Sequence, residues 1–188
     1  MTSPQVQRLT DALYVRRAMP VDAEAVARLA IETFVAKFGH LYNMQDLQTY
    51  LHLAYSVDAV EQTLRDADSE TWLLCDSGSG ETLGFALVGK ASLPHPDIGP
   101  ADGEIKRFYV DPSRTGQGLG TQFMDFILTR LQKDGPRHLW VGVYSDNDGA
   151  QRFYARYGFE HAGEYIFPVG EARDREYIFK RVKWCDSN

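Results

Sequence analysis

Residues 104–120, EIKRFYVDPSRTGQGLG, restrict the fold of this chain more than any other stretch. Ile105, Phe108, Tyr109 and Val110 have the branched and aromatic character of a strand. Asp111 and Pro112 mark a turn, and Gly116, Gly118 and Gly120 a loop. Leu119, Phe123, Phe126, Ile127 and Leu131 then recur at helical spacing. The segment therefore reads as strand, turn, glycine-rich loop and amphipathic helix. Glycines ahead of a helix let backbone approach a ligand closely, and the first free N–H groups of the helix, at its positive end, suit a phosphate or pyrophosphate. An anion-binding loop is expected, although the glycines alone leave a plain flexible turn open.

Two sharper readings of the loop fail on the residues. A nucleoside-triphosphate loop needs Lys and then Ser or Thr after its last glycine, and here Thr121 and Gln122 follow Gly120. A dinucleotide fingerprint runs GxGxxG directly after its strand. In this chain residues 111–115 intervene, and Thr121 takes the place of the third glycine. Asp146, the available ribose ligand, lies far beyond the usual spacing of about 20 residues.

A second motif lies downstream. Residues 138–143, HLWVGV, read as a strand and are followed by NDGAQRFYARYGF over residues 147–159. Together the two segments resemble the GNAT superfamily of N-acetyltransferases, whose acyl-CoA loop follows Q/R-x-x-G-x-G/A and whose next helix carries N-x-x-A-x-x-F-Y-x-x-x-G-F. The second pattern is met at Asn147, Ala150, Phe153, Tyr154, Gly158 and Phe159. The first is met at Gly118 and Gly120 but opens on Thr115, with Arg114 one place early. A closer likeness covers Ile31 to Phe34, Asp46 to Leu51, Glu104 to Val110 and Leu139 to Val143. These segments, with the ending at Phe167 to Gly170, resemble bacterial polyamine N-acetyltransferases of the spermidine/spermine type.

Composition narrows the partners. A net charge of −6 over 188 residues disfavours nucleic acid and anionic membranes and welcomes a cationic substrate. No apolar run is long enough to span a bilayer and no signal-peptide pattern opens the chain, so cytoplasm is the default location. The chain length fits one domain, residues 1–188, with residues 1–10 and 185–188 expected to be flexible. Cys75 and Cys185 share no spacing typical of zinc, and His40, His52, His95, His138 and His161 form no ligand set, so no metal is expected.

In chain order, residues 13–18 read as a strand, and Pro20 with a capping Asp22 opens a helix that Gly39 ends. Two further helical patterns follow, at Leu47, Tyr50, Leu51 and Ala54 and at Val57, Val60 and Leu64. Residues 71–76 and 83–90 form a hairpin, and the proline-bearing segment 91–103 is a loop on the substrate side. The glycine-loop helix is expected to stop near Gly135 and Pro136. Strands are read around residues 159–167 and 176–184, joined by a charged loop with Arg173, Asp174 and Arg175. The expected fold class is mixed α/β. It is a single, mostly antiparallel sheet of six to seven strands with helices on both faces, splayed at its central parallel strands as in the GNAT resemblance.

The resemblance implies acetyl-CoA as co-substrate and a small amine as acceptor. Glu104 corresponds to the general base and Tyr154 to the general acid that protonates the leaving thiolate. Backbone amides at Phe108, Tyr109 and Val110 would pair with the pantetheine arm, which Asn147 also contacts. Thr115, Gly116, Gln117, Gly118, Leu119, Gly120 and Thr121 would cradle the diphosphate. Glu32 and Asp46 are candidates to attract a cationic amine, while Trp140, Phe153 and Phe159 are expected in the core. Acetyl transfer to a protein or peptide amine, an aminoglycoside or an amino acid derivative remains open. So does a non-catalytic acyl-CoA sensor, and so does a homodimer, for which no residue marks an interface.

Overall fold

Strand β3 (Ser69–Asp76) shows how the sheet is layered. Its run WLLC, residues 72–75, is apolar without interruption because both of its faces are covered. Trp72 and Leu74 enter one core, and Leu73 and Cys75 enter the other. The first core lies under α4 (Leu119–Gln132) and α5 (Asp148–Arg156), the second under α1 (Ala23–Phe38), α2 (Met44–Tyr55) and α3 (Val57–Arg65). This computed structural model describes residues 5–114, 116–132 and 138–182. The expected end of α4 at Gly135 and Pro136 falls outside the described residues, as do Trp184 and Cys185.

Among the described residues the sheet has eight strands in the order β1-β2-β3-β4-β5-β6-β8-β7. Besides β3 they are β1 (Val6–Arg8), β2 (Leu13–Arg17), β4 (Thr82–Lys90), β5 (Gly103–Val110), β6 (His138–Tyr144), β7 (Glu160–Val169) and β8 (Ala172–Val182). All neighbours are antiparallel except β5 and β6, which are parallel and joined through α4. The mixed, mostly antiparallel sheet expected from the sequence is therefore present, with one strand more than the upper count. Val6–Arg8, read as part of a polar end, pairs with Arg16, Val15 and Tyr14. All three of its side chains are exposed, so no apolar alternation announces it.

Two local readings are corrected. Asp22 makes no side-chain cap on α1. Its carboxylate instead takes both Nη atoms of Arg16, at 2.8 and 2.7 Å, and the N–H of Met19 at 2.8 Å. Burial alone would raise this carboxyl, but those donors hold it below its ordinary value. Arg173, Asp174 and Arg175 are not a loop but part of β8. The turn falls earlier, at Gly170 and Glu171, where Gly170 supplies a positive φ of 57°.

The feature that positions the site is the parting of β5 and β6. They pair only at Gly103 with Leu139 and Glu104 with Trp140. Beyond Ile105 the side chains of β5 change from buried to half-buried. A cleft opens there between the two strands. No described helix is long and apolar enough to cross a membrane.

Candidate active site

The cleft is a cavity of about 400 Å3. From β5 come Glu104, Phe108 and Tyr109; from β6, Gly142 and Tyr144; from the start of α5 and its body, Asn147 and Tyr154. Phe34 and Phe38 of α1, Tyr50 of α2 and Tyr42 between them close one wall, while Tyr165, Phe167, Asp174 and Glu176 of the β7–β8 hairpin close another.

Glu104 is buried at the floor, where β5 leaves β6. Its Oε2 accepts the N–H of Ser92 at 2.7 Å and the Oγ–H of Ser92 at 3.0 Å, with Lys106 Nζ at 3.5 Å. Lys106 Nζ also donates to Ser92 Oγ at 2.7 Å. The proline-bearing loop that carries Ser92 is pinned at its other end by Asp102. That carboxylate accepts Trp140 Nε1–H at 3.0 Å and Gly99 N–H at 3.1 Å and lies 3.0 Å from His138 Nδ1. Burial would raise the Asp102 carboxyl, yet these donors keep it low. The carboxylate of Glu104 thus has one oxygen fixed by a rigid neighbour.

Tyr154 sits on the α5 face that meets the sheet, with ring contacts at 5.6 Å to Phe153 and 5.5 Å to Phe159. Burial pushes its phenol well above the ordinary tyrosine value, so the group stays protonated near neutrality. Its hydroxyl bonds to no described residue, which leaves a proton donor facing the cavity. Asn147 caps α5, its Oδ1 accepting Ala150 N–H at 3.2 Å, and it lines the cavity as well.

A short 3-10 turn at Pro112–Arg114 separates β5 from the glycine loop. Gly116 and Gly118 have φ of 84° and 74°, values that other residues rarely adopt. A Cβ on Gly116 would meet nothing within 4 Å, so the loop's outer side is open space. Helix α4 starts at Leu119, and its first N–H groups have no intrahelical acceptor. Leu119 points into the core, whereas Gln117 and Thr121 are exposed. Thr115 lies outside the described residues. Glu104, Phe108, Tyr109, Asn147 and Tyr154 therefore share one cavity. Val110, the last residue of β5, and residues 116–121 beyond that strand do not line it.

Asp46 does not line the cavity and is bonded elsewhere. Its Oδ1 accepts Glu171 N–H at 2.7 Å, and its Oδ2 accepts Asn43 Nδ2–H at 2.6 Å. Glu32 is exposed on α1 and does not line the cavity. The acidic groups that do were missed in the sequence. Asp174 accepts the phenol of Tyr42, and Glu176 Oε2 accepts the phenol of Tyr165 at 2.5 Å. Burial pushes the Glu176 carboxyl up; the Tyr165 bond and Arg107 oppose this, and Asp174 and Glu104 add to it. Alternation of Asp174 and Glu176 opposite Phe167 and Tyr165 was the available signal, once the strand is recognised. Among the described residues no group of three His, Cys, Asp or Glu is arranged to hold a metal ion.

Gly142 makes room for this pair. A Cβ there would fall 2.8 Å from Glu176 Oε2 and 2.8 Å from Tyr165 Oη. Both atoms end flexible side chains, so Gly142→Ala is expected to fold and to displace the pair. The KM of the substrate that contacts this pair should rise roughly tenfold, the scale of one charged hydrogen bond. Steady-state kinetics on the variant checks this, and an unchanged KM contradicts it.

Known proteins resemble this chain in sequence and in fold. A profile of the Acetyltransferase (GNAT) family matches residues 35–159, which include β5, the glycine loop and α5. An "Uncharacterized N-acetyltransferase in pepI 3'region" of Lactobacillus delbrueckii subsp. lactis is 26% identical over 151 residues, 80% of this chain and 86% of that protein. The spermine/spermidine N(1)-acetyltransferase of Bacillus subtilis is 29% identical over 91 residues, 47% of this chain and 59% of the relative. The crystal structure of PaiA N-acetyltransferase from Thermoplasma acidophilum in complex with coenzyme A superposes with a TM-score of 0.71 at 16% identity, covering 91% of this chain and 99% of that one. With two thirds of its length matched by the family profile, the chain belongs to the Acetyltransferase (GNAT) family.

Proposed function

We propose that this acetyltransferase, acting as one domain over residues 1–188, moves an acetyl group from acetyl-CoA to a primary amine of a small cationic acceptor by direct attack in a ternary complex, with a polyamine as the leading acceptor class. The observation that carries the reading is the meeting of Glu104 and Tyr154 in one cavity where β5 leaves β6. The coenzyme A in the T. acidophilum structure supports the co-substrate, and the name of the B. subtilis relative supports the acceptor.

Acetyl-CoA supplies an acyl carbon already activated as a thioester. Amides 116–121 hold its diphosphate at the positive end of α4. Amides of Phe108 to Val110, on the edge of β5 that β6 no longer covers, take the pantetheine arm together with Asn147, and one of them donates to the carbonyl oxygen as charge develops there. An alkyl ammonium has a pKa near 10.4, so a proton must leave before nitrogen attacks. Glu104 accepts that proton with the oxygen that Ser92 leaves free. Tyr154 donates to the sulfur as the C–S bond breaks. Cys75 is buried in the sheet under α1 to α3, away from the cavity, which favours direct transfer over an acyl-cysteine.

The test joins calorimetry with coenzyme A to acetyl-transfer assays on spermidine, spermine, a peptide amine, an aminoglycoside and an amino acid derivative. Coenzyme A is expected to bind and the polyamines to be turned over fastest. Absence of coenzyme A binding by folded protein would sink the whole reading. Binding without turnover of either polyamine removes only the acceptor class.

A further inference from the structure

Three carboxylates line the cavity, and their surroundings differ. Glu104 is paired with Lys106 at 3.5 Å and fixed by Ser92. Asp174 is bonded by the phenol of Tyr42. Glu176 has no cation within ion-pair distance among the described residues; its Oε2 accepts the Tyr165 phenol at 2.5 Å, which leaves Oε1 for something else. The closest cationic influence is Arg107. That guanidinium is already engaged, donating to Tyr55 Oη at 3.0 Å and to the Lys106 carbonyl at 2.7 Å.

The walls around Glu176 suit a positive guest. Phe34, Phe38, Tyr50 and Phe167 present rings to the same space, and aromatic faces attract cations. On the neighbouring strand Gly142 offers no side chain, so the carboxylate faces the cleft and is not walled off from it. A carboxylate removed from water, held by one phenol and lacking its own cation, gains more from an incoming ammonium than one already paired.

From this geometry we infer that Glu176, positioned by Tyr165, is the residue that receives the acceptor's ammonium group. The assignment rests on the N-acetyltransferase reading above and gives Glu176 a binding role separate from proton removal at Glu104.

A proton linkage follows. In the free protein burial raises the Glu176 carboxyl; an ammonium beside it lowers it again. Amine binding below the raised value must therefore expel a proton, and affinity must grow as pH rises through that value. The other groups facing Glu176 are Tyr165 on β7, Asp174 on β8, Tyr144 on β6, Glu104, Lys106 and Arg107 on β5, Tyr42 and Tyr50. The tyrosines are raised from their ordinary value and Arg107 stays charged, so neither those phenols nor that guanidinium titrates in the mildly acidic range. Glu104 and Asp174 are present in both the wild type and Glu176→Gln, so the comparison of those two isolates the contribution of Glu176.

Kinetics with spermidine, and with tyramine as a monocation, tests the assignment. Glu176→Gln is expected to raise the amine KM on the order of 10- to 100-fold, leaving kcat within a few-fold and the acetyl-CoA KM unchanged. Glu104→Gln should instead lower kcat. Calorimetry of the same amines binding to the enzyme–coenzyme A complex, in two buffers of different ionisation heat at mildly acidic pH, should show proton release in the wild type and none in Glu176→Gln. Tyr165→Phe should move that release to higher pH, because the phenol's hydrogen bond holds the carboxyl down; a merely structural Tyr165 would not shift it. Glu176→Asp, with its melting temperature measured, guards against misfolding and should recover part of the affinity. An amine KM unchanged in folded Glu176→Gln overturns the assignment while leaving acetyl transfer intact. A wild type that acetylates neither amine removes the alkylamine acceptor class, and the Glu176 role with it.

Discussion

Tyr154→Phe is expected to lower kcat roughly 10²- to 10³-fold, the scale of one general acid, with the KM values for amine and acetyl-CoA changed little. The substitution removes one hydroxyl and nothing else. The ring keeps its contacts with Phe153 and Phe159, and volume-conserving core changes cost little. Because the hydroxyl bonds to no described residue, its loss strands no buried partner, and the melting temperature should move by no more than about 2 °C. Chemistry should suffer alone. The loss stops near 10³ because a thiol with a pKa near 8.5 leaves passably as a thiolate even without a proton donor. The raised phenol adds a sign for pH: Tyr154 does not ionise on the way to mildly alkaline conditions, so it contributes no fall in kcat there. A folded variant within threefold of the wild-type rate removes Tyr154 from the chemistry.

The elements proposed to hold the cofactor were legible in sequence because their parts are local. The β5 strand, the loop at Gly116 and Gly118 and the cap at Asn147 each carry their own signal within a few residues: period, positive φ and an N-cap. Both motifs also belong to segments that follow one another along the chain, so their order is informative. The acceptor half has no such property. Its wall is assembled from α1, α2, the turn at Tyr42 and the β7–β8 hairpin, which meet only after folding. Charge misled there: Arg173, Asp174 and Arg175 read as a solvated loop, whereas their alternation sends Asp174 into the cavity and leaves both arginines exposed. The acidity of Asp46 misled in the opposite way, since a carboxylate suited to a cation is spent on a backbone N–H of the hairpin. Strand β1 was missed because three exposed residues bury too little to show a pattern. Tertiary context supplied what local pattern lacks.

The same contact between Asp46 and the hairpin makes Gly170 the position where a single methyl group should cost most stability. Gly170 has φ of 57°, a region that costs an L-residue about 1–2 kcal/mol. Space is a second obstacle, because a Cβ there would lie 2.6 Å from Asp46 Cα and 2.7 Å from Asp46 Cβ. A backbone atom of α2 cannot swing aside as a side-chain tip does, so the hairpin tip must lift or the helix must shift. Either movement breaks the 2.7 Å bond from Glu171 N–H to Asp46 and strains the seat of the fully buried Val169. Overpacking of this kind costs about 1–3 kcal/mol. Gly170→Ala is therefore expected to lose roughly 2–5 kcal/mol in all, and its melting temperature to fall by roughly 5–15 °C for a chain of this size. The damage should be directional, because α2 carries Tyr50 and the hairpin carries Tyr165 and Glu176. In the surviving folded fraction the amine KM should rise while coenzyme A affinity, set at the distant start of α4, is kept. Thermal melts together with calorimetry on coenzyme A read both effects. A melting temperature within about 2 °C of wild type would show that the hairpin does not press on α2 as the distances require.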